Sequence, residues 1–356
     1  MAKWTIAGTA QDDCSSDFLR IDRCCDLARL GGTAVQTNPQ VGAVIIHHEN
    51  TKIIAENLHQ FFGGPHAEVN TIQSSDKQSV KNSTIYVSLE PCSHAGKTPP
   101  CVDLIIGHGF HRCVVGHRDP NPLVNGKGIE LLRQAGIQVT EISSVKAKGI
   151  LRRFIVNQRL ERPYIVLKWA RSADGFMGRK GERVQISNAM SQRLVHKWRS
   201  ELQSIMVGTE TALNDNPQLN NRLYHGPSPL RIIMDRKGRL PPKHQLLNGK
   251  IPTLIFTYGK RDIRDNLEFV QIAEGDSELD QVFKVLYERN VGSVMIEGGE
   301  KLLSSCLKSG LWDECRVITS DSLLEQGIPS PTLPMANWHQ EYVIGGDTVR
   351  TLLRPL

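Results

Sequence analysis

The sequence predicts two consecutive α/β domains, and three observations carry that prediction. The chain has 356 residues, enough for two hydrophobic cores of ordinary size. Short apolar runs alternate with stretches of helical spacing through both halves, as in layered α/β folds. Between the halves, at about residues 147–163, lies the basic stretch KAKGILRRFIVNQRLERP, ending at Pro163. Domains are therefore expected at 1–150 and 151–356.

In the first half, DFLRIDRCCDLARLG (17–31) has helical spacing in Phe18, Leu19, Ile21, Cys25, Leu27 and Ala28, with Gly31 as its C-cap. VGAVII (41–46) is a buried-strand run, and TKIIAE (51–56) can pair with it as a hairpin. HAEVNTIQ (66–73) starts a helix, STIYVSLEP (83–91) is a strand, and TPPCVDLIIGHG (98–109) is a helix with prolines in its first turn. RCVVGHRDP (112–120) is a strand, GKGIELLRQAG (126–136) a helix closed by Gly136, and IQVTEI (137–142) a strand. The second half continues with strands YIVLKWA, SIMVG (204–208), PLRIIMD (229–235), PTLIFTY (252–258) and GSVMIEGG (292–299), and with helices at 188–201 and 301–309.

Composition narrows the classes. With 39% hydrophobic and 22% charged residues, the chain is neither disordered nor collagen-like. No stretch reaches the roughly 18–20 apolar residues of a membrane helix, and the first residues lack a secretory leader's basic and apolar regions. A cytoplasmic protein is expected, whose eight cysteines are thiols, ligands or core residues rather than disulfides. Residues 1–150 hold 14 basic and 14 acidic side chains and eight of the twelve histidines, so the net charge of +6 resides in 151–356. A His/Cys-rich neutral half followed by a basic half suggests a metal site and then a site for anionic ligands. No long Lys/Arg block or basic-aromatic stripe argues for nucleic acid.

Three pieces of the first half carry chemistry: His66-Ala67-Glu68, Pro91-Cys92 and Cys101. One imidazole and two thiolates make a three-ligand Zn²⁺ site with a position left for water. Glu68, two residues beyond His66, can stand beside the metal and carry a proton from that water to a leaving amine. His-x-Glu with Pro-Cys is the zinc-deaminase arrangement. His59 or His94 could instead close a structural site, which would leave Glu68 without a role.

TNPQVGAVII, HQFFGGPHAEVNTI, YVSLEPCSHAGKTPPCVDLII and GHRDPNPLVNGKGIELL resemble the deaminase half of the bifunctional riboflavin-biosynthesis family, as does the eight-residue gap SHAGKTPP between Cys92 and Cys101. LKWARSADGFMG, ISNAMSQRLVHKWR, VGTETALNDNPQLNNR and IEGGEKLL resemble its reductase half. The resemblance implies a cytidine-deaminase-like three-layer domain followed by a dihydrofolate-reductase-like α/β domain. It implies Zn²⁺ and NADPH as cofactors, Glu68 as the catalytic residue, and Asn38, His59, Lys97, Asp119 and Asn121 along the deaminase pocket. Ala170, Thr211, Asp215 and the run Gly299, Glu300, Lys301, Leu302, Leu303, Ser304 and Ser305 would contact NADPH. Arg183, Arg199, Leu219, Arg222 and Glu297 would hold the reductase substrate, two of the arginines suiting its phosphate.

Read physically, GSVMIEGG followed by KLLSSCL is a strand, a glycine turn and a helix start, a setting that favours phosphate. It lacks the Gly-x-Gly-x-x-Gly fingerprint of Rossmann dehydrogenases. No side chain here does redox chemistry, so a hydride must come from a bound cofactor. Arg236, after the strand RIIMD, lies next to a position where the family meets its cofactor. That resemblance and the basic balance of this half imply that it reads the 2′-phosphate of NADPH, the alternative being a basic loop in water.

The chain departs from the family pattern where Gln185-Ile186-Ser187 replaces Trp-Ile-Ser, where Arg183 replaces a small polar residue, and over 318–356. The leading expectation is an enzyme that deaminates a diaminopyrimidinone ribosyl phosphate and then reduces the ribosyl chain of the product to ribityl. The partners expected are small phosphorylated pyrimidines, with no nucleic acid and no membrane, for a homo-oligomer. Two alternatives are a nucleic-acid-editing deaminase with a basic binding module, and a deaminase with an inactive reductase half.

Overall fold

Strand β1 (Gly42–Ile46) is buried at all five positions, because helices cover both faces of its sheet. Ala43 and Ile45 point into one core with Ile85, Val87, Cys113 and Val115, while Val44 and Ile46 point into another with Tyr86 and Val114. The same period-two alternation holds in β3 (Thr84–Val87) and β4 (Arg112–Val115), and β2 (Ile53–Leu58) and β5 (Gln138–Glu141) flank them, in the order β2-β1-β3-β4-β5. β1 runs antiparallel to β2 and β3, and β3, β4 and β5 are parallel. Helices α2 (Ala67–Gln73), α3 (Lys77–Val80), α4 (Cys101–Gly107) and α5 (Lys127–Gln134) fill the first core, and α1 (Ala10–Arg29) the second. The result is three layers.

The computed structural model describes residues 10–47, 52–93, 99–121, 124–182, 184–259, 264, 266–334 and 337–356. It divides into two units, residues 1–160 and 161–356. Helix α6 (Val145–Leu160) spans the position expected for the division, and its Leu151, Ile155 and Ala147 join the cores of the first unit. Within that unit the buried Asp17 of α1 accepts hydrogen bonds from Tyr86 Oη at 2.8 Å and from Arg112 of β4 at 2.5 and 3.1 Å.

The second unit is built on a nine-stranded sheet, formed by β6 (Tyr164–Arg171), β7 (Ser204–Gly208), β8 (Leu230–Met234), β9 (Thr253–Thr257), β10 (Leu267–Gln271), β11 (Ser293–Glu297), β12 (Glu314–Thr319), β13 (Gln340–Ile344) and β14 (Asp347–Leu353). The order is β10-β9-β8-β7-β11-β6-β12-β14-β13. The strands are parallel from β10 to β12, and the hairpin β13–β14 adds antiparallel to β12. Helices α7 (Ala189–Glu201), α8 (Thr209–Asp215), α9 (Glu278–Glu288) and α10 (Glu300–Ser309) connect them. Ile165, Leu167 and Trp169 of β6 face the main core with Val282, Phe283 and Leu286 of α9 and with Leu303 and Cys306 of α10. Lys168 and Ala170 therefore face the other side of the sheet.

Residues 318–356, which depart from the family pattern, complete this sheet through β14 and β13. Before that hairpin, the segment 322–330 pairs with the loop after β6. Ala173 N donates to Ser322 O, Met177 N to Ile328 O and Ile328 N to Gly178 O. Among the described residues no helix is long and apolar enough to cross a membrane.

Asp313 accepts from Arg162 Nη1 and Nη2 at 2.6 and 2.9 Å and from the Ile165 amide at 2.8 Å, with both side chains nearly buried. Removing the carboxylate strands a buried guanidinium. Asp313→Ala should cost the second unit about 3–5 kcal/mol. Urea unfolding followed by tryptophan fluorescence reads this change, because four of the five tryptophans lie in 161–356.

Candidate active sites

Pro91 has no amide hydrogen to donate, and the ladder of β3 has already ended at Val87. The chain turns there and delivers Cys92 to the start of α4, where Cys92 O accepts the Val102 amide at 3.2 Å and Cys92 Sγ accepts the Cys101 amide at 3.3 Å. His66 stands at the N-cap of α2 but caps nothing with its side chain, so its ring is free to turn to the sulfurs. Nδ1 of His66 lies 3.5 Å from Cys92 Sγ and 3.3 Å from Cys101 Sγ. The three ligand atoms lie within 4.8 Å of one another. One nitrogen and two sulfurs at this spacing fit Zn²⁺. A hydrogen bond shared by the two thiols pulls Cys92 well down from the usual thiol range and pushes Cys101 up. Glu68, in the first turn of α2, is 4% exposed and burial pushes its carboxyl up to about 6.

His59 and Asn38 act as a pair. His59 is buried, its Nδ1 is 2.9 Å from Pro65 O, and its Nε2 is 3.0 Å from Asn38 Nδ2. A carbonyl only accepts, so Nδ1 carries the proton and Nε2 accepts from the Asn38 amide. The His59 ring stands edge-on to His66 with centroids 5.8 Å apart. It is thus a neighbour of the metal ligand set and not a fourth member of it. Asp119 Oδ1 accepts the Asn121 amide at 2.8 Å in a tight turn. Lys97 and His94 lie outside the described residues.

Glu90 was not singled out from sequence. Its buried carboxylate accepts the amides of Asp119, Gly126 and Gly128 at 3.1, 3.0 and 3.0 Å, so it ties the Asp119–Asn121 turn to the strand end that carries Cys92. Gly128 closes the same joint, since a Cβ there would lie 2.2 Å from Pro91 O. A Glu before Pro-Cys gives no sign in sequence of three amide partners more than twenty-five residues away.

In the second unit the carboxyl ends of the parallel strands carry the candidate residues, the edge where ligands enter open α/β sheets. Glu297 ends β11 and is paired in register with Lys168 of β6. Arg199 of α7 grips Glu297 with two bonds of 2.8 Å, and Lys168 Nζ lies 3.9 Å from the same carboxylate. Burial alone would raise the Glu297 carboxyl, but Arg199 and Lys168 over-compensate and hold it at about 2. The fork expected of Arg199 for phosphate is therefore spent on Glu297. Its remaining Nη1 donates to Asn220 O at 3.0 Å. Arg222 is exposed, and its Nη1 donates to Asn220 Oδ1 at 2.9 Å. Lys168 carries no motif of its own in the sequence, although its place two residues before Ala170 in a strand puts it on the same face.

Gly298 and Gly299 both have φ of +76°, a region open to glycine. A Cβ on Gly299 would lie 2.9 Å from Thr211 Oγ1, and one on Gly298 3.0 Å from Thr211 Cγ2. Thr211 and the glycine turn ahead of α10 thus form a close-set cradle, which fits a nucleotide phosphate. Glu300, Lys301, Leu302, Ser304 and Ser305 follow in the first turns of α10, whereas Leu303 is wholly buried in the core. Ser304 Oγ is already bonded to Glu300 at 2.6 Å. Asp215 ends α8, Leu219 is buried with φ of +48°, and Ala170 pairs with Ile318 of β12. Arg236 is exposed and ion-paired at 2.5 Å with Glu278 of α9, and Arg183 lies outside the described residues.

The folds and sites define a zinc-dependent deaminase domain followed by a reductase domain. Residues 17–117 match the cytidine and deoxycytidylate deaminase zinc-binding region, and residues 163–324 match the RibD C-terminal domain. The chain belongs to the RibD family of riboflavin biosynthesis proteins. It is 36% identical to the Aquifex aeolicus riboflavin biosynthesis protein RibD over 82% of this chain and 83% of that one. It is 34% identical to the Escherichia coli protein over 85% and 87%. Among solved structures it resembles the diaminohydroxyphosphoribosylaminopyrimidine deaminase/5-amino-6-(5-phosphoribosylamino)uracil reductase of Thermotoga maritima, with a TM-score of 0.87 and 33% identity over 96% of this chain and 99% of that one. It also resembles Acinetobacter baumannii RibD, with a TM-score of 0.84 and 29% identity over 95% and 99%.

Purified protein should hold one zinc per chain, and Cys92→Ser or Cys101→Ser should lose it. Metal analysis of the folded variants checks this, and full zinc in either would remove that cysteine from the ligand set.

Proposed function

We propose that the two sites carry out two consecutive steps of riboflavin biosynthesis within one chain. The first unit hydrolytically deaminates 2,5-diamino-6-(5-phosphoribosylamino)pyrimidin-4-one. The second reduces the ribosyl chain of 5-amino-6-(5-phosphoribosylamino)uracil to ribityl with NADPH. The observation that carries the reading is the His66/Cys92/Cys101 cluster with Glu68 buried beside it. When bound, zinc makes hydroxide available near neutral pH. Glu68 takes the proton released and returns it to the departing amine, and a carboxyl raised by burial suits both steps. With Asn38 Nδ2 engaged by His59, the Asn38 carbonyl oxygen is left to accept an N–H from the pyrimidine. Asp119 and Asn121 line the same pocket, with Lys97 assigned to the ribose phosphate.

In the second unit NADPH, when bound, would supply the hydride. Gly299 to Leu302, Ser304, Ser305, Thr211, Ala170 and Asp215 would hold the cofactor, Leu303 being spent on the core, and Glu297, Leu219, Arg183 and Arg222 would hold the substrate. Arg222 takes the phosphate, because Arg199 is committed to Glu297. A buried Arg199–Glu297–Lys168 cluster keeps a carboxylate ionised at the strand ends, where it can orient ribose hydroxyls. The boundary expected at 150/151 moves to the end of α6, and the units 1–160 and 161–356 work in a cytoplasmic homo-oligomer that binds neither nucleic acid nor membrane. Incubation with the diaminopyrimidine phosphate, with and without NADPH, followed by mass measurement of the products, tests the whole reading.

Glu68→Gln should keep zinc and lower ammonia release on the order of 10²–10⁴-fold. The same variant should reduce the aminouracil normally when it is supplied directly, and loss of both activities in folded protein would refute separate sites.

Arg236 is proposed to leave Glu278 for the 2′-phosphate of NADPH. Arg236→Gln should raise the KM for NADPH by about 5- to 150-fold and leave that for NADH nearly unchanged. Equal shifts would assign the preference to another residue.

A further inference from the structure

Residues 217–229 connect α8 to β8 without entering the sheet, and they carry Leu219 and Arg222. The segment is under strain: Leu219 is a buried non-glycine residue with φ of +48°. Such a conformation persists only where the surroundings over-determine it. Two side chains one turn apart on α7 hold the residues that directly follow Leu219. Arg199 Nη1 donates to Asn220 O at 3.0 Å, and His196 Nδ1 accepts the amides of Arg222 at 3.0 Å and Leu223 at 3.4 Å. Arg199 is also locked onto Glu297, so the anchor continues to the sheet.

His196 has no direct place in the reaction described above. It is 3% exposed. An amide N–H can only donate, so Nδ1 must be unprotonated. Burial, with Arg199 and Arg222 adding to it, pulls the ring down to about 4 and keeps it neutral at working pH. A Leu would fill similar space without accepting either amide, so what the histidine adds is the acceptor.

We propose that His196 is a positioning residue for the reductase: by accepting the Arg222 and Leu223 amides it sets the backbone of this turn and aims the Arg222 guanidinium at the phosphate of the substrate. The proposal rests on the reading of Arg222 as the phosphate contact.

The test compares His196→Leu, His196→Asn, His196→Gln, Arg222→Met and the double variant His196→Leu/Arg222→Met in the full-length zinc protein. Reductase kinetics are measured with 5-amino-6-(5-phosphoribosylamino)uracil and NADPH, and ammonia release is the internal control. His196→Leu should raise the KM for the aminouracil phosphate by about 5- to 20-fold, the size of one or two lost neutral hydrogen bonds. Both kcat and the KM for NADPH should stay within twofold, as for lost uniform binding. Asn sets its amide oxygen where Nδ1 stood and should restore the KM to within about threefold. Gln sets its amide near the Nε2 position and should not. The double variant should be no worse than Arg222→Met alone. If Arg222→Met leaves the KM unchanged, the phosphate reading itself fails. If Arg222→Met raises it while the His196 variants match wild type, or while the two losses add, the positioning role is overturned and the phosphate reading stands. Should His196→Leu fail to fold, the Asn against Gln contrast decides, and equal KM values for those two overturn the proposal.

Discussion

Glu297 stays ionised while almost wholly buried because Arg199 grips both of its oxygens and Lys168 stands 3.9 Å away. That cluster joins β11, β6 and α7, and through Arg199 it reaches the turn that carries Arg222. Breaking such a group by removing one member leaves a buried charge uncompensated. The arrangement therefore makes the site's geometry depend on the correct docking of α7 onto the sheet. The strands bring the cluster to their carboxyl ends, beside the glycine turn at 298–299. Fold and site are set by one packing event.

The first unit meets a different constraint. Its three candidate metal ligands come from residues 66, 92 and 101 and converge to within 4.8 Å. Three turns do this work: the extended residue at the start of α2, the Pro91 turn after β3, and the start of α4. Glu90 then binds the amide of Asp119 and those of Gly126 and Gly128 at the start of α5, so the segment that positions Cys92 also positions the Asp119–Asn121 corner.

Much of this is legible in the sequence because it is local. Alternating apolar runs mark β1, β3, β4, β7, β8, β9 and β11, and the spacing of His66, Glu68, Cys92 and Cys101 announces the zinc chemistry. Strand β10, LEFVQ, is only partly buried and shows no clear apolar face. The β13–β14 hairpin lies at the end of the sheet and keeps exposed positions such as Val343, so its pairing is set by backbone bonds that leave little trace in side-chain pattern. Partner choice was equally hidden. That Arg199 serves Glu297 before any phosphate, and that Lys168 shares a face with Ala170, follows from strand order and register, which residue types alone do not specify.

Gly128 lies in the first turn of α5, thirty-six residues beyond Cys92, and no ligand atom belongs to it. Its α-carbon nevertheless leaves no room for a methyl group against the Pro91 carbonyl. Even an alanine there would press directly on the peptide that leads into Cys92. In a genetic screen, such a change would pass for a defect in metal uptake, although the altered residue is a hinge-side spacer with no donor atom of its own.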